Sequence, residues 1–414
     1  MNRRDLIKGI GATALTASLG VPLKAASEAE ESPTGPNRAR IDPKGARAIA
    51  MWDFSWIERR WPGAGYEDWD RALDELVERG YNAVRIDANP HLIHHNPDKE
   101  YTLLPHWSVQ DWGSPALNRI HSPLKALTTF LEKCGERGIK VGLSTWFRQD
   151  EDDVRMNIRS ATDHGEVWLS VLEGIHDAGL TDALLYVDLC NEWTGDLWCP
   201  FFVNDPPEAK WTGYYTPKSR QWMQEAIGVL RGRFPDIPCT FSFTGEVTAE
   251  NAGRAEYPML DFLEPHIWMV SGNKGEFYRK VGYGYDRFDN TGYTNLQKNG
   301  EREYREREDY WRQMLVDQIK HAADWSATSG KALITTECWG VVDYKDWPLL
   351  NWGWVRELCE LGVNEAARTG AWSAMATSNF CGPQFTGMWR DIDWHVKLTE
   401  TIRNSRPVRP IKSV

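Results

Sequence analysis

Two glutamates close short apolar runs in this chain. Leu184-Leu-Tyr-Val-Asp-Leu-Cys-Asn-Glu-Trp carries Glu192 at its end, and Ala332-Leu-Ile-Thr-Thr-Glu-Cys-Trp-Gly carries Glu337. A pair of carboxylic residues suits cleavage of a glycosidic bond. One protonates the leaving oxygen, and the other attacks or stabilises the anomeric carbon. A gap of about 5–5.5 Å between them gives retention of configuration, and a wider gap gives inversion.

The elements that must position this pair are legible as alternation. Eight short, mostly apolar runs are expected as strands: Ala48–Phe54, Ala83–Asp87, Lys140–Trp146, Leu184–Leu189, Cys239–Phe243, Phe262–Trp268, Ala332–Thr336 and Ala371–Ala376. Such runs fit parallel strands buried on both faces. Amphipathic stretches lie between them: Tyr66–Arg79, Pro123–Arg137 after Ser122 as N-cap, Glu166–Ala178, Pro217–Arg233, Glu308–Thr328, Trp354–Arg368 and Trp394–Arg403, with Thr248–Ala255 a weaker candidate. No Gly-x-Gly-x-x-Gly turn follows the first run. Eight strand–helix units without that turn favour a closed α/β barrel, a single (β/α)8 TIM barrel over 45–414, above a doubly wound sheet. Glu192 then ends strand four and Glu337 strand seven, on the face where such barrels carry their sites. Two long loops, Ala88–His121 and Met269 to about Glu306, are expected to wall that face. The charge run Glu301–Asp309 reads as a solvated helix start.

An Asn-Glu closing strand four, together with a Glu closing strand seven, resembles the clan of retaining (β/α)8 glycoside hydrolases that includes the cellulase-like families (clan A). The layout covers nearly the whole chain after its first 44 residues. The resemblance implies that Glu192 is the acid/base and Glu337 the nucleophile, with no cofactor and no metal. It implies that Asn191 bonds the sugar 2-hydroxyl and that Arg85, in Val84-Arg-Ile-Asp, keeps the nucleophile ionised, whereas the acid/base needs a raised pKa. His266 matches a frequent strand-six histidine. Trp372 resembles the platform tryptophan of strand eight, with Asn379 and Phe380 as alternatives. Three positions depart from the clan. Trp193 stands where Pro is common, Trp268 where Tyr is common, and Trp146 where His is common.

Composition points the same way. The chain of 414 residues holds 22 Trp, and indole faces stack on the C–H faces of sugars. Most of these tryptophans fall at expected strand ends or in the loops that follow. Trp56, Trp146, Trp193, Trp268 and Trp339 are therefore expected sugar contacts, with Asp53, Asp87 and Asn89 as hydrogen-bonding candidates. A net charge of −11 disfavours nucleic acid and anionic membranes as partners, so the expected partner is a carbohydrate, and a neutral one. Seven cysteines without a C-x-x-C pair give no disulfide framework and no zinc pattern. His91, His94 and His95 leave open a metal-dependent sugar isomerase. Because Pro90 and Pro97 flank them, they are read as loop residues. A barrel that binds glycans without cleaving them is the other alternative, although it would not need the Glu pair.

Residues 1–27 read as a signal peptide. Arg3-Arg4 precedes Leu6-Ile7-Lys8, an apolar stretch and Lys24-Ala25-Ala26, a twin-arginine-type pattern. Cleavage is expected between about residues 25 and 29, followed by a linker over 28–44 and a periplasmic or secreted mature protein. No later apolar run is long enough for a membrane helix.

Overall fold

The computed structural model describes residues 45–52, 55–105, 118–203, 213–283, 290–341 and 350–411. The signal and linker of 1–44, and Asp53, lie outside the described residues. Thirteen strands occur among the described residues, in chain order: β1 Arg47–Ala50, β2 Ala83–Asp87, β3 Glu100–Leu103, β4 Asn118–His121, β5 Lys140–Ser144, β6 Leu184–Asp188, β7 Cys239–Thr240, β8 Ser242–Phe243, β9 Phe262–Pro265, β10 Ile267–Trp268, β11 Ala332–Thr335, β12 Cys338–Trp339 and β13 Trp372–Met375. The main sheet runs β7-β6-β5-β2-β1-β13-β11-β9-β8, and every pairing in it is parallel.

Its two outer members, β7 and β8, are consecutive parts of one strand on either side of Phe241. Cys239 pairs with Val187 of β6, and Ser242 pairs with Glu264 of β9. The sheet therefore meets itself and forms a TIM barrel, with all eight expected strands in place. The barrel strands are buried almost throughout, as covering by helices requires. Inside, Gly142 of β5 leaves room for Tyr186, whose ring would lie 2.4 Å from a Cβ added there.

Helices lie where amphipathic spacing expects them, with caps that explain their starts. Asp68 caps Trp69–Glu78, Ser160 caps Ala161–Asp177 and Thr216 caps Pro217–Arg233, each side chain accepting a backbone N–H of the first turn. The helix Pro123–Glu136 is different. Ser122 stands at its N-cap but its side chain makes no capping bond; its hydroxyl donates to Asp98 O at 3.3 Å.

The two long walls contain more structure than expected. The first holds the helix Pro90–His95 and the antiparallel hairpin β3–β4. The second holds helices Gly272–Val281 and Asn290–Glu306. The charge run 301–309 therefore joins the end of one helix to the start of the next, Glu308–Ser329, instead of opening a helix. No helix among the described residues is long and apolar enough to cross a membrane.

Candidate active site

Arg85 points into the barrel from the middle of β2 and is fully buried. A buried guanidinium needs acceptors on every edge. Its Nη2 donates to Asn191 Oδ1 at 2.7 Å, Asp188 Oδ2 at 2.8 Å and Ser144 Oγ at 2.9 Å. Nη1 donates to Thr336 Oγ1 at 3.0 Å and to Glu337 Oε1 at 3.3 Å. Glu264 Oε1 lies 3.7 Å from Nε. One cation thus gathers residues from β2, β5, β6, β9 and the end of β11.

Glu192 follows β6 with φ 48°, the left-handed region that is uncommon for a residue with a long side chain. Two bonds to the β8 segment hold it there: Glu192 N–H to Ser242 Oγ at 2.9 Å, and Trp193 N–H to Ser242 O at 3.0 Å. The turn aims the carboxylate at His266, whose Nδ1 lies 3.1 Å from Glu192 Oε1 and 3.7 Å from Glu337 Oε2. Trp198 Nε1 donates to Glu192 Oε2 at 3.0 Å. One oxygen from each glutamate and the His266 nitrogen all lie within 4.8 Å of one another. These three are also the residues that could hold a cation.

The electrostatics follow from burial. Burial lowers the pKa of His266 by more than its contact with Glu192 raises it, so the ring is neutral near pH 7 and its Nδ1–H can donate to Glu192. Burial pushes the Glu192 carboxyl up, but bonds from His266, Trp198 and Thr244 outweigh that and leave it below the ordinary range. The expected raised acid is therefore not the state of the free protein. Three donors converge on the carboxylate and favour its charge.

The other expected site residues divide. Asn191 Oδ1 is held by Arg85, and its Nδ2 has no partner. Trp146 packs at 4.5 Å on Trp198 and at 5.9 Å, edge-on, to Trp52. Trp268 lies edge-on to His266 at 5.5 Å. Asp87 ties loops together, accepting Asn89 N–H at 2.8 Å and Trp146 N–H at 2.9 Å.

Four tryptophans belong to the packing of the barrel. Trp56 is buried against Tyr66 and Phe130. Trp193 packs on Phe202 and Phe241 and donates to Ser219 Oγ at 2.7 Å. Trp339 donates to Ala376 O at 3.0 Å and lies against Gly362, where an added Cβ would meet its ring at 2.5 Å. Trp372 donates to Thr335 Oγ1 at 2.8 Å within the strand layer. Trp193 is next to Glu192 in the chain, but its indole is directed to Ser219, Phe202 and Phe241. Asn379 and Phe380 are buried, and Phe380 packs on Trp352 and Phe385.

The three histidines also separate. Pro90 opens a short helix instead of breaking one. His91 Nε2 meets Arg148 O at 2.8 Å, His94 Nδ1 meets Ser170 at 2.8 Å, and His95 packs on Tyr101. They do not converge on one point.

Sequence reasoning missed Asp188, Glu264, Ser242, Thr336 and Trp198 as parts of this centre. Asp188 and Glu264 had a signal: each is a charged residue inside an apolar run, as Arg85 is.

The family described as sugar-binding cellulase-like matches residues 49–403. A crystal structure from Parabacteroides distasonis, provisionally named as a glycoside hydrolase, is 52% identical, with TM-score 0.84, covering 89% of this chain and 95% of that one. Similarity in fold alone extends to an endoglucanase at 11% identity and TM-score 0.51, covering 87% of this chain and 97% of that one. It extends also to GH5_18 from Streptomyces cattleya in complex with GlcNAc, at 11% identity and TM-score 0.53, covering 89% of this chain and 82% of that one. No curated protein matches the chain.

Proposed function

The chain belongs to the cellulase-like family of sugar-binding proteins, and from that premise we propose that it is a retaining glycoside hydrolase acting on β-linked, neutral oligo- or polysaccharides. The spacing of the two carboxylates supports this reading most. Oxygens of Glu192 and Glu337 lie within 4.8 Å of each other, on the short side that suits a covalent intermediate.

In the first step Glu337 attacks the anomeric carbon while Glu192 gives its proton to the departing glycosidic oxygen. The C–O bond to the leaving sugar breaks, and an ester bond to Glu337 forms. In the second step a water attacks the same carbon, Glu192 takes its proton, and Glu337 leaves as a carboxylate. Entry of the sugar displaces donors around Glu192 and excludes water, and both changes favour its protonated form. Arg85 supplies the opposite charge beside Glu337. Asn191 Nδ2, buried and unpartnered, is a donor for a sugar hydroxyl. Trp52, Trp146, Trp198 and Trp268 give this centre aromatic walls.

Proton NMR of the product during hydrolysis tests the mechanism. The β-anomer is expected to appear first and then mutarotate; an initial α-anomer rejects a double displacement. A screen over β-glucans, β-mannans and aryl β-glycosides identifies the sugar. Full activity in excess EDTA is expected, and loss of activity would favour the metal-dependent reading of the Glu192–His266–Glu337 trio.

Export by the twin-arginine-type signal is proposed as well. Mature protein recovered from the periplasm or medium should begin between about residues 25 and 29. Replacing Arg3 and Arg4 by Lys should hold the precursor in the cytoplasm; unchanged export would reject that route.

A further inference from the structure

Glu264 is a carboxylate that neither step of this reaction uses. It is fully buried on β9, two residues before His266. Its Oε1 meets the Thr336 hydroxyl at 2.5 Å. That hydroxyl also accepts Arg85 Nη1, the nitrogen that reaches Glu337. A guanidinium has only donors, so the single Thr336 proton must go to Glu264. Glu264 thereby turns the Thr336 lone pairs toward Arg85. It also lies 3.7 Å from Arg85 Nε, while Nη2 is taken up by Asp188, Ser144 and Asn191.

We propose that Glu264 is a positioning residue for the nucleophile: with Thr336 it holds the Arg85 guanidinium against Glu337, and its negative charge offsets part of the positive charge that Glu337 feels. The proposal rests on Glu337 being the nucleophile. Two consequences differ in kind. Loss of the grip lets Arg85 shift toward Asp188 and misplaces the nucleophile. Loss of the charge alone leaves Arg85 in place, acting more strongly on Glu337.

The test uses full-length enzyme and the 2,4-dinitrophenyl β-glycoside that wild type cleaves fastest. That leaving group needs little protonation, so the acid limb of kcat/KM reports the nucleophile. Glu264→Gln keeps an acceptor for Thr336 but no charge. Its acid limb should fall by about 0.5–1 pH unit with kcat within about threefold. Glu264→Ala removes the grip, and kcat should fall about 10–100-fold with KM within about twofold. Glu264→Asp, which restores the charge, should return the limb to within about 0.3 unit of wild type.

Wild-type limbs and turnover in both Gln and Ala variants overturn the proposal. So does a loss of turnover that only tracks the loss of folded protein, read by near-UV circular dichroism, with an unmoved limb. Should the Gln and Ala variants prove insoluble, Thr336→Val breaks the same relay with little change of volume; wild-type kcat and limb there overturn the proposal equally. Activity retained in Glu337→Gln sinks the assignment of the nucleophile itself. An inactive Glu337→Gln beside unaffected Glu264 variants sinks only the role of Glu264.

Discussion

Glu337→Gln should lower turnover of any cleaved β-glycoside by about 10⁴-fold or more, because no nucleophile remains to form the intermediate. The protein should still fold. Gln fills the same volume, and Arg85 keeps Asp188 at 2.8 Å and Glu264 at 3.7 Å. Glu192→Gln should behave differently. Poor leaving groups need its proton, so natural glycosides should slow by roughly 10²–10⁴-fold. Dinitrophenyl glycosides leave unaided, so the first step should be nearly spared and an initial burst of dinitrophenol should precede a slow second step. Azide, which needs no general base, should speed that step and yield a β-glycosyl azide. Equal loss in the two variants on both substrate types would reverse or remove the assigned roles. Melting curves of both variants separate chemistry from unfolding.

Mild acid should destabilise the fold steeply. Burial holds His91 and His395 at about 3 and His164 at about 4, against an ordinary value of 6.5. The hydrogen bonds agree with neutral rings. Trp222 Nε1 can only donate, and it lies 2.9 Å from His164 Nδ1, while His164 Nε2 lies 3.0 Å from Leu189 O. Protonation would therefore set one N–H against another. Each folded value is below its unfolded value, so the unfolded chain binds more protons between about pH 6.5 and pH 4. Stability is thus full above about pH 6.5 and falls as the pH falls. At pH 5 each histidine costs roughly 2 kcal/mol, and the three together about 6 kcal/mol. That is comparable with the net stability of an ordinary domain. Thermal melts should fall by roughly 10 °C between pH 7.5 and pH 5. His395→Gln keeps a donor for Met388 O and an acceptor near Tyr81 but cannot titrate, so it should lose about 2 kcal/mol less over that interval. A pH slope equal to that of wild type would refute the role of His395.

The barrel was readable because its strands are short apolar runs and the helices between them carry strong spacing. Glu192 and Glu337 were readable for the same reason: each is the first carboxylic residue after such a run has ended. The tryptophans were not. A strand buried on both faces shows no alternation of polarity, so nothing in the sequence near Trp193, Trp339 or Trp372 tells the inward side from the outward one. Position at a strand end marked tryptophans beside the Glu192–Glu337 centre and packing tryptophans alike. Asp188 and Glu264 could have been found by asking what neutralises Arg85, whose burial was already implied by its run. The helix Asn290–Glu306 escaped because its sequence, Asn-Thr-Gly-Tyr-Thr-Asn-Leu-Gln-Lys-Asn-Gly-Glu-Arg-Glu-Tyr-Arg-Glu, offers few apolar residues to set a period.

The pairing of β1 with β13 joins Arg47 to Ala374 and Ala48 to Met375. During synthesis, Glu192 and Glu337 have both joined the chain before the strand that closes the ring exists. Until then β1 and β11 each present an open edge, the kind that recruits other chains, and the contact that covers them spans almost the whole sequence, which makes it slow to form. Chains terminated between residues 338 and 371 should therefore collect as insoluble aggregate, with no residual activity, even though they contain Glu192, Glu337 and Arg85.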